Sequence, residues 1–169
     1  MIKQIVLPLF GVAAFIVLVG LFVKNSGNIK IPGLTPEVPT LTKVDIKVGD
    51  KAVSVEVADT EAKRERGLSG RTSLDENSGM LFVFDSKHTV ANFWMKGMLI
   101  PLDFLWIRDG KVIKIDKNIQ PAATGTSDSD LKIYSPGQPI DYVLEMNAGY
   151  ADKNGVKIET SVDLSNALK

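Results

Sequence analysis

The sequence KVDIKV-GDK-AVSVEV, residues 43 to 57, alternates polar and apolar side chains on both sides of a short turn. Alternation at period two places the apolar side chains on one face of an extended strand and the polar ones on the other. Gly49 and Asp50 interrupt the pattern with residue types that favour turns. The stretch therefore predicts a β-hairpin with one buried face.

Shorter runs of the same kind follow the hairpin and are separated by turn residues. Asp59 or Thr60 is placed to cap a short helix over residues 61–68, which Gly70 would end. Asp109-Gly110 joins two apolar runs with the two-residue turn that hairpins prefer. Further strands are predicted at 80–84, 89–95, 102–107, 111–115, 141–146 and 156–160, with a loop over 121–138 and a helical turn at 149–154.

These elements predict a mostly β or α+β fold, namely a compact β-barrel-like domain with two short helices. The domain is expected to span residues 43–169. Because 44% of the residues are hydrophobic, a domain of this length can bury a core without disulfide bonds.

A long apolar run, IVLPLFGVAAFIVLVGLFV, occupies Ile5 to Val23 and contains no charged side chain. As a helix it would span about 28 Å, close to the roughly 30 Å hydrocarbon core of a bilayer. No small-residue cleavage site follows the run, which favours an uncleaved signal anchor over a cleaved signal peptide. The sequence therefore predicts a transmembrane signal anchor over residues 5–23, after an N-terminal tail of residues 1–4.

Residues 24–42 contain several prolines and glycines and are predicted to form an extended, Pro-rich linker. A short tail followed by a single span is typical of signal anchors, which export the chain that follows. We therefore expect a single-pass membrane protein whose folded domain lies outside the cytoplasm. Lys3 on one side of the span and Lys24 with Lys30 on the other nearly balance, so the opposite orientation stays open.

The composition argues against several functional classes. The 20 basic and 20 acidic residues give a net charge of zero, without the basic excess that a nucleic-acid partner requires. The absence of cysteine excludes thiol nucleophiles, CxxC redox motifs and cysteine zinc sites. No glycine-rich loop that cradles phosphate precedes a helix, so we expect no cofactor and no nucleic acid among the partners.

Five motifs follow one another within the predicted domain. Together they resemble the widespread family known as domain of unknown function one-nine-two, over about residues 43–162. The resemblance implies a small β-barrel-like domain that is often preceded by a signal or anchor segment. That family has no established activity, so the resemblance implies a fold and not a function. The motifs are ERGLSGR (65–71), ENSGMLFVF (76–84), FWMKGM (93–98), IPLDF (100–104) and YVLEMNAG (142–149).

Four residues are candidates for a ligand-binding groove: Arg66, Arg71, Trp94 and Asp103. Each of the two arginines adjoins a glycine, which lets a ligand approach the backbone, and a guanidinium binds carboxylate or phosphate through two hydrogen bonds. Alternatively, the arginines cap carbonyls or pair with nearby acids. Trp94 offers a stacking platform for a sugar or an apolar ligand, although a tryptophan is more often a core residue. The groove predicts a small-molecule or glycan ligand.

Asp103 and Glu145 are the candidate catalytic residues, because each carboxylate interrupts an apolar run where an unpaired charge is costly. If both face one cleft, burial and mutual repulsion would raise one pKa and separate an acid from a base, as glycosidase-type hydrolysis requires. The alternative is that each carboxylate pairs with an arginine or accepts backbone N–H bonds.

Met80, Met95, Met98 and Met146, together with His88, raise the hypothesis of a soft-metal site, since thioethers and imidazole suit Cu(I). Methionine also fills irregular gaps in cores, and the single histidine falls in a predicted turn. We therefore expect no metal site.

Two functional hypotheses follow. The first is a membrane-tethered ligand-binding or interaction module of the cell envelope, whose protein partners the sequence does not indicate. The alternative is a hydrolase-like enzyme that acts on an envelope polymer or small ligand, with Asp103 and Glu145 as acid and base. The sequence lacks a recognisable nucleophile set, metal set or cofactor motif, which favours the first hypothesis.

Overall fold

The structure is a computed structural model that describes residues 40–167. Within this range the chain is mostly β, with two short α-helices and one turn of 3-10 helix at Asp128–Asp130. The elements are β1 (Thr42–Val48), β2 (Lys51–Ala58), α1 (Glu61–Arg66), β3 (Ser78–Val83), β4 (Leu102–Arg108), β5 (Lys111–Ile119), β6 (Tyr142–Asn147), α2 (Tyr150–Lys153) and β7 (Val162–Asp163).

The predicted tail of residues 1–4, the transmembrane segment 5–23 and nearly all of the linker 24–42 lie outside the described residues. Among residues 40–167, neither helix has the length and apolar character needed to cross a bilayer.

The strands form one sheet in the order β5-β4-β6-β3-β2-β1-β7. Neighbouring strands are antiparallel except for β2 and β3, which are parallel and are connected through α1. The predicted hairpin at residues 43–57 is confirmed as β1 and β2, and Asp109-Gly110 forms the turn between β4 and β5.

The sheet curls so that the start of β5 meets the chain just before β7. Lys111 forms a bridge with Ser161, and the Val112 amide donates to the Thr160 carbonyl at 2.9 Å. The Val162 amide donates to the Gly110 carbonyl at 2.7 Å. The two ends of the sheet therefore touch at one rim, which gives the half-barrel shape that the sequence predicted only as barrel-like.

Both faces of the curled sheet are buried. On β4, Leu105 and Ile107 point to the concave face, which we call the interior, whereas Leu102, Phe104 and Trp106 point to the other, outer face. The interior is filled by strand residues together with Tyr150 and Ala151 of α2. The outer face is covered by Leu68 and by residues from the segments 91–98 and 134–140. This second, loop-covered core forms the floor of the candidate site.

α1 begins where the sequence predicted and ends earlier. The Thr60 side chain caps it by accepting from the Lys63 amide at 3.3 Å, and the amide of Gly67 closes it on the Lys63 carbonyl. Gly67 has φ 51°, which favours glycine, so the helix ends at this residue and not at Gly70 as expected.

Two predicted strands are wrong. The segment 89–95 pairs only through isolated bridges, Thr89 with Ile140 and Phe93 with Tyr134, because it lies over the outer face and its partners are loop residues. The closing strand is Val162–Asp163 instead of 156–160, which contains a turn. Both segments show alternating apolar residues, but alternation alone does not determine whether a neighbouring strand is available.

Candidate functional site

A cavity of about 460 Å³ lies on the outer face of the sheet, between α1 with its following turn and the segment 89–98. A volume of this size accommodates a small organic molecule. Its wall is about half apolar, with a concentration of aromatic rings. The apolar lining residues are Leu68, Phe82, Phe84, Val90, Ala91, Phe93, Trp94 and Met98.

Glu145 is the acidic side chain of β6 that lines this cavity, and it is 5% exposed. Its register neighbours are Met80 on β3 and Phe104 on β4, so apolar side chains flank it on both strands. Its Oε2 atom is buried without a hydrogen-bond partner in the described structure. Burial raises the pKa of Glu145 to about 8, so the carboxyl is mainly protonated at neutral pH.

Gly79 allows β3 to approach β6 behind Glu145. A Cβ atom at this position would lie 2.5 Å from both the Glu145 carbonyl oxygen and the Met146 Sδ atom. Glycine is therefore required by the close packing of the two strands. The backbone that carries Glu145 is therefore held close to β3.

Two of the four predicted ligand-binding residues, Arg66 and Trp94, line the cavity. Arg66 is the last residue of α1. Trp94 is 44% exposed, while its neighbour Met95 is 3% exposed in the outer core. The predicted alternation of inward and outward side chains holds here, although the segment is not a strand. The exposed indole is available to a ligand in the cavity.

Arg71 lies elsewhere, beside a separate small cavity of about 90 Å³. Its guanidinium binds the Glu56 carboxylate through two hydrogen bonds of 2.8 and 2.5 Å. The hydrogen bond from Arg71 lowers the pKa of Glu56, and the same bond raises the pKa of Arg71. The structure therefore gives Arg71 an acidic partner within the chain, which was the alternative considered from the sequence.

Asp103 is fully buried and faces the interior of the half-barrel. Its Oδ1 atom accepts the Asn118 amide at 2.8 Å and the Gly149 amide at 3.1 Å, and its Oδ2 atom accepts the Ala151 amide at 2.9 Å. The carboxylate thereby joins β4 to β5 and to the start of α2. Its hydrogen bonds are structural, and it does not line the large cavity.

The shared cleft expected for Asp103 and Glu145 is not present. Asp103 is opposite Met146 in the β4–β6 ladder, whereas Glu145 is opposite Phe104. Residues that pair across a ladder share a face and successive residues alternate, so the two carboxylates point to opposite faces of the sheet. They cannot act together as an acid and a base. The predicted groove likewise divides, since Arg66 and Trp94 lie at the cavity while Arg71 and Asp103 do not.

Comparison with known proteins identifies the domain. The model of the DUF192 family, described as "Uncharacterized ACR", matches residues 43–164. The chain belongs to this family. The resemblance seen in the five sequence motifs is therefore confirmed, and the DUF192 match covers all seven strands apart from the first residue of β1. No curated protein matches the chain significantly.

Two solved structures share the DUF192 fold of this chain. A candidate transcription regulator from Sinorhizobium meliloti 1021 is 29% identical with a TM-score of 0.67, and the match covers 74% of this chain and 95% of that one. A protein of unknown function from Novosphingobium aromaticivorans DSM 12444 is 28% identical with a TM-score of 0.65, covering 82% and 99%. The fold of the domain is thus seen in crystal structures.

The DUF192 domain also contains a cluster of one histidine and two aspartates that the sequence did not predict. His88, Asp109 and Asp141 bring one potential ligand atom each to within 4.8 Å of one another. Asp141 accepts the His88 amide at 3.1 Å and the Asp109 amide at 2.8 Å, and both donors have positive φ. Burial opposes ionisation of Asp141, but these bonds outweigh it and lower its pKa. Asp141 therefore stabilises the two turns that contain His88 and Asp109.

The methionines do not gather around His88. Met80, Met95 and Met98 belong to the outer core of the DUF192 domain, and Met146 belongs to the interior. Because they lie on both faces of the sheet, they cannot converge on one metal ion. They fill gaps in two separate cores, which is the ordinary role of methionine.

Sequence reasoning identified Glu145 and Trp94 but missed the cavity that joins them. Phe82 and Phe84 are in and just after β3, and Phe93 is in the segment 89–98 that covers them. The centroids of the Phe82 and Phe93 rings are 4.9 Å apart. The signal available in the sequence was the aromatic content of the motifs ENSGMLFVF and FWMKGM, which the family pattern places in the same domain.

Proposed function

We propose that this chain is a ligand-binding module of the cell envelope that takes a small molecule into the cavity above Glu145. The observation that carries the proposal is a buried carboxyl oxygen without a partner at the base of an aromatic cavity of about 460 Å³. Polar groups at such depth are normally hydrogen-bonded, so an orphaned one in a ligand-sized cavity indicates a role in recognition.

The exposed indole of Trp94 adds to this proposal. Large aromatic side chains are usually covered in a domain with two cores, and Trp94 is 44% exposed at the cavity while Val90 beside it is 66% exposed. An apolar surface at a cavity mouth favours a ligand with a ring or an aliphatic portion. A sugar, whose C–H faces stack on indole, fits the same wall.

The binding role is tested on the full-length chain in lipid nanodiscs with a library of metabolites and oligosaccharides, followed by saturation-transfer NMR. Trp94→Ala is expected to weaken binding of a hit by about fivefold, since stacking on an indole contributes around 1 kcal/mol. Ile158→Ala is the matched control, because Ile158 is 58% exposed and is not part of the cavity lining. Equal loss in both variants, or no loss in either, contradicts the proposed site.

The location belongs to the same proposal: residues 5–23 anchor the chain in the membrane, and the domain stands outside the cytoplasm at the end of the linker 24–42. The apolar length of the segment supports the membrane anchor. A non-permeant protease added to intact cells is expected to digest the domain, with a cytoplasmic protein as the protected control. A domain that survives until the cells are lysed would place it on the inner side.

A hydrolytic role has less support than binding. Asp103 is held by three backbone amides on the opposite face of the sheet, so it cannot complete an acid–base pair with Glu145. A role in transcription, which the name of the Sinorhizobium protein suggests for that protein, has no support in the equal numbers of basic and acidic residues of this chain.

A further inference from the structure

The Glu145 carboxyl has no cationic partner among the described residues, although three basic side chains line its cavity. Arg64 donates to the Val83 carbonyl at 2.8 Å and contacts Asp85, and Lys96 contacts Asp128 at 2.7 Å. Arg66 forms no ion pair within residues 40–167. Among residues 40–167, no basic side chain therefore neutralises the Glu145 carboxylate when it is ionised.

The charges at the cavity mouth favour a positive group. Arg64 and Lys96 are balanced by acids that do not line the cavity, namely Asp85 and Asp128. The remaining charged side chains of the mouth are Glu61, Glu65 and Arg66. In the described part of the chain none of these three side chains forms an ion pair. Their net charge is therefore −1, without counting Glu145.

The walls have the chemistry that binds an organic cation. Phe82, Phe84, Phe93 and Trp94 surround the space above the carboxyl. The faces of aromatic rings carry partial negative charge and attract ammonium groups, most strongly where water is excluded. A buried carboxylate next to aromatic rings supplies both the opposite charge and the apolar contacts that such a ligand needs.

We infer that the cavity binds an organic cation, an amine or alkylammonium compound, whose charged group contacts the Glu145 carboxyl and whose apolar part lies against Trp94 and the phenylalanines. The inference rests on the proposed ligand-binding role and names the chemical class of the ligand. The neighbours of Glu145 on β3 and β4, Met80 and Phe104, do not titrate. The other ionisable side chains that line the cavity are Glu61, Arg64, Glu65 and Arg66 of α1 and Lys96 of the segment 89–98.

Benzylammonium and its neutral analogue benzyl alcohol provide a matched pair of probes, because they differ chiefly in charge. Calorimetric titration of the full-length chain in nanodiscs at pH 6 and pH 8 is the experiment. A cation requires the ionised carboxyl, whose fraction rises from about 1% to about 50% for a pKa of about 8. Benzylammonium is therefore expected to bind about 50-fold more tightly at pH 8, with release of nearly one proton per ligand at pH 7.

Glu145→Gln separates charge from shape, because glutamine keeps the size and removes the ionisable group. It is expected to weaken benzylammonium binding at pH 8 by at least 30-fold and to abolish its pH dependence, with benzyl alcohol unchanged. Asp50→Asn, at the exposed turn between β1 and β2 and outside the cavity lining, is the control and is expected to change affinity by less than threefold, since a distant exposed charge is screened. Circular dichroism and a thermal melt verify that each variant is folded.

The outcomes distinguish the inference from the proposal beneath it. Benzyl alcohol binding as tightly as benzylammonium, or cation binding that Glu145→Gln retains, overturns the cationic ligand while the binding module stands. Failure of the library and of both probes to bind overturns the proposed function itself. A 50-fold pH effect, together with an affinity that Trp94→Ala weakens and Ile158→Ala does not, supports both.

Discussion

Asp103 and Glu145 are both buried acids on neighbouring strands, and their surroundings differ completely. Asp103 is 0% exposed and accepts three backbone amides in the interior of the half-barrel. Glu145 is 5% exposed on the outer face, with one oxygen that has no partner. Burial is the same in the two cases, so it does not distinguish a structural carboxylate from a functional one. The supply of hydrogen-bond donors does.

The difference has a local cause in the backbone. The β4–β5 ladder shifts register between Leu102 and Phe104, and Asn118 in this region has φ 51° and an amide that points to Asp103. The start of α2 adds the amides of Gly149 and Ala151. Around Glu145 the ladders to β3 and β4 are regular. Regular ladders use their own amides, so none is left for a side chain.

Among the substitutions, removal of the Asp103 carboxylate is expected to change the free energy of unfolding most. Asp103→Ala leaves three amides without their acceptor, of which that of Ala151 is buried, and is expected to lower the free energy of unfolding by about 4 kcal/mol. Urea denaturation followed by circular dichroism measures the change. A loss below about 1 kcal/mol would mean that water replaces the carboxylate, and Asp103 would then not be the structural member of the pair.

Glu145→Met is expected to act in the opposite direction. Methionine has a similar size and no group to desolvate, so replacing an unpartnered carboxyl with it should raise the free energy of unfolding by about 2 kcal/mol. The same variant should lose ligand binding. A destabilised Glu145→Met protein would show that the carboxyl has a partner in solution, and the contrast with Asp103 would disappear.

Stability is expected to depend on pH through Glu145. The folded carboxyl has a pKa of about 8, whereas the unfolded one ionises near 4.5. Between these values the folded state holds one more proton, so stability falls as pH rises, by about 1.4 kcal/mol per unit, and levels off above pH 8. Urea melts from pH 5 to pH 9 measure the slope. Subtracting the profile of Glu145→Gln isolates this residue, and a flat difference would contradict the raised pKa.

The smallest effect is expected at the residue whose amide binds Asp103. Asn118→Gly keeps the backbone donor and suits the positive φ of 51°, so stability should change by no more than about 0.5 kcal/mol. Thermal melts of this variant beside Asp103→Ala compare the donor and the acceptor of one hydrogen bond. A large loss would indicate that the Asn118 side chain, not its amide, supports the site.

The sequence predicted the parts of this fold that depend on neighbours along the chain. The hairpin of β1 and β2 and the Asp109-Gly110 turn follow from alternation and turn chemistry. The sequence could not predict to which face of the sheet Asp103 and Glu145 each point, because this depends on the register of β4 against β6. A shift of one residue in that register would place both carboxylates on the same face.

The same limit explains the errors at the site. Arg71 pairs with Glu56, a residue of β2 that lies 15 positions away and that no local pattern connects with it. The cavity exists because the segment 89–98 lies over Phe82 and Phe84, and an alternating segment gives no sign that its partner is a loop. Trp94 lies at the cavity, where its exposure contrasts with the burial of Met95, and this alternation is a local property of the sequence. Its role in binding stays a prediction.

Because β1 pairs with β7, the sheet can be completed only late in the synthesis of the chain. Lys47 and Val48 of the first strand pair with the last strand, so this part of the edge of β1 stays open until residue 163 has emerged from the ribosome. An open edge invites pairing with other chains. Lys43, Asp45 and Lys47 project as exposed charges along it. These alternating charges protect the half-made protein from aggregation for as long as its final strand is missing.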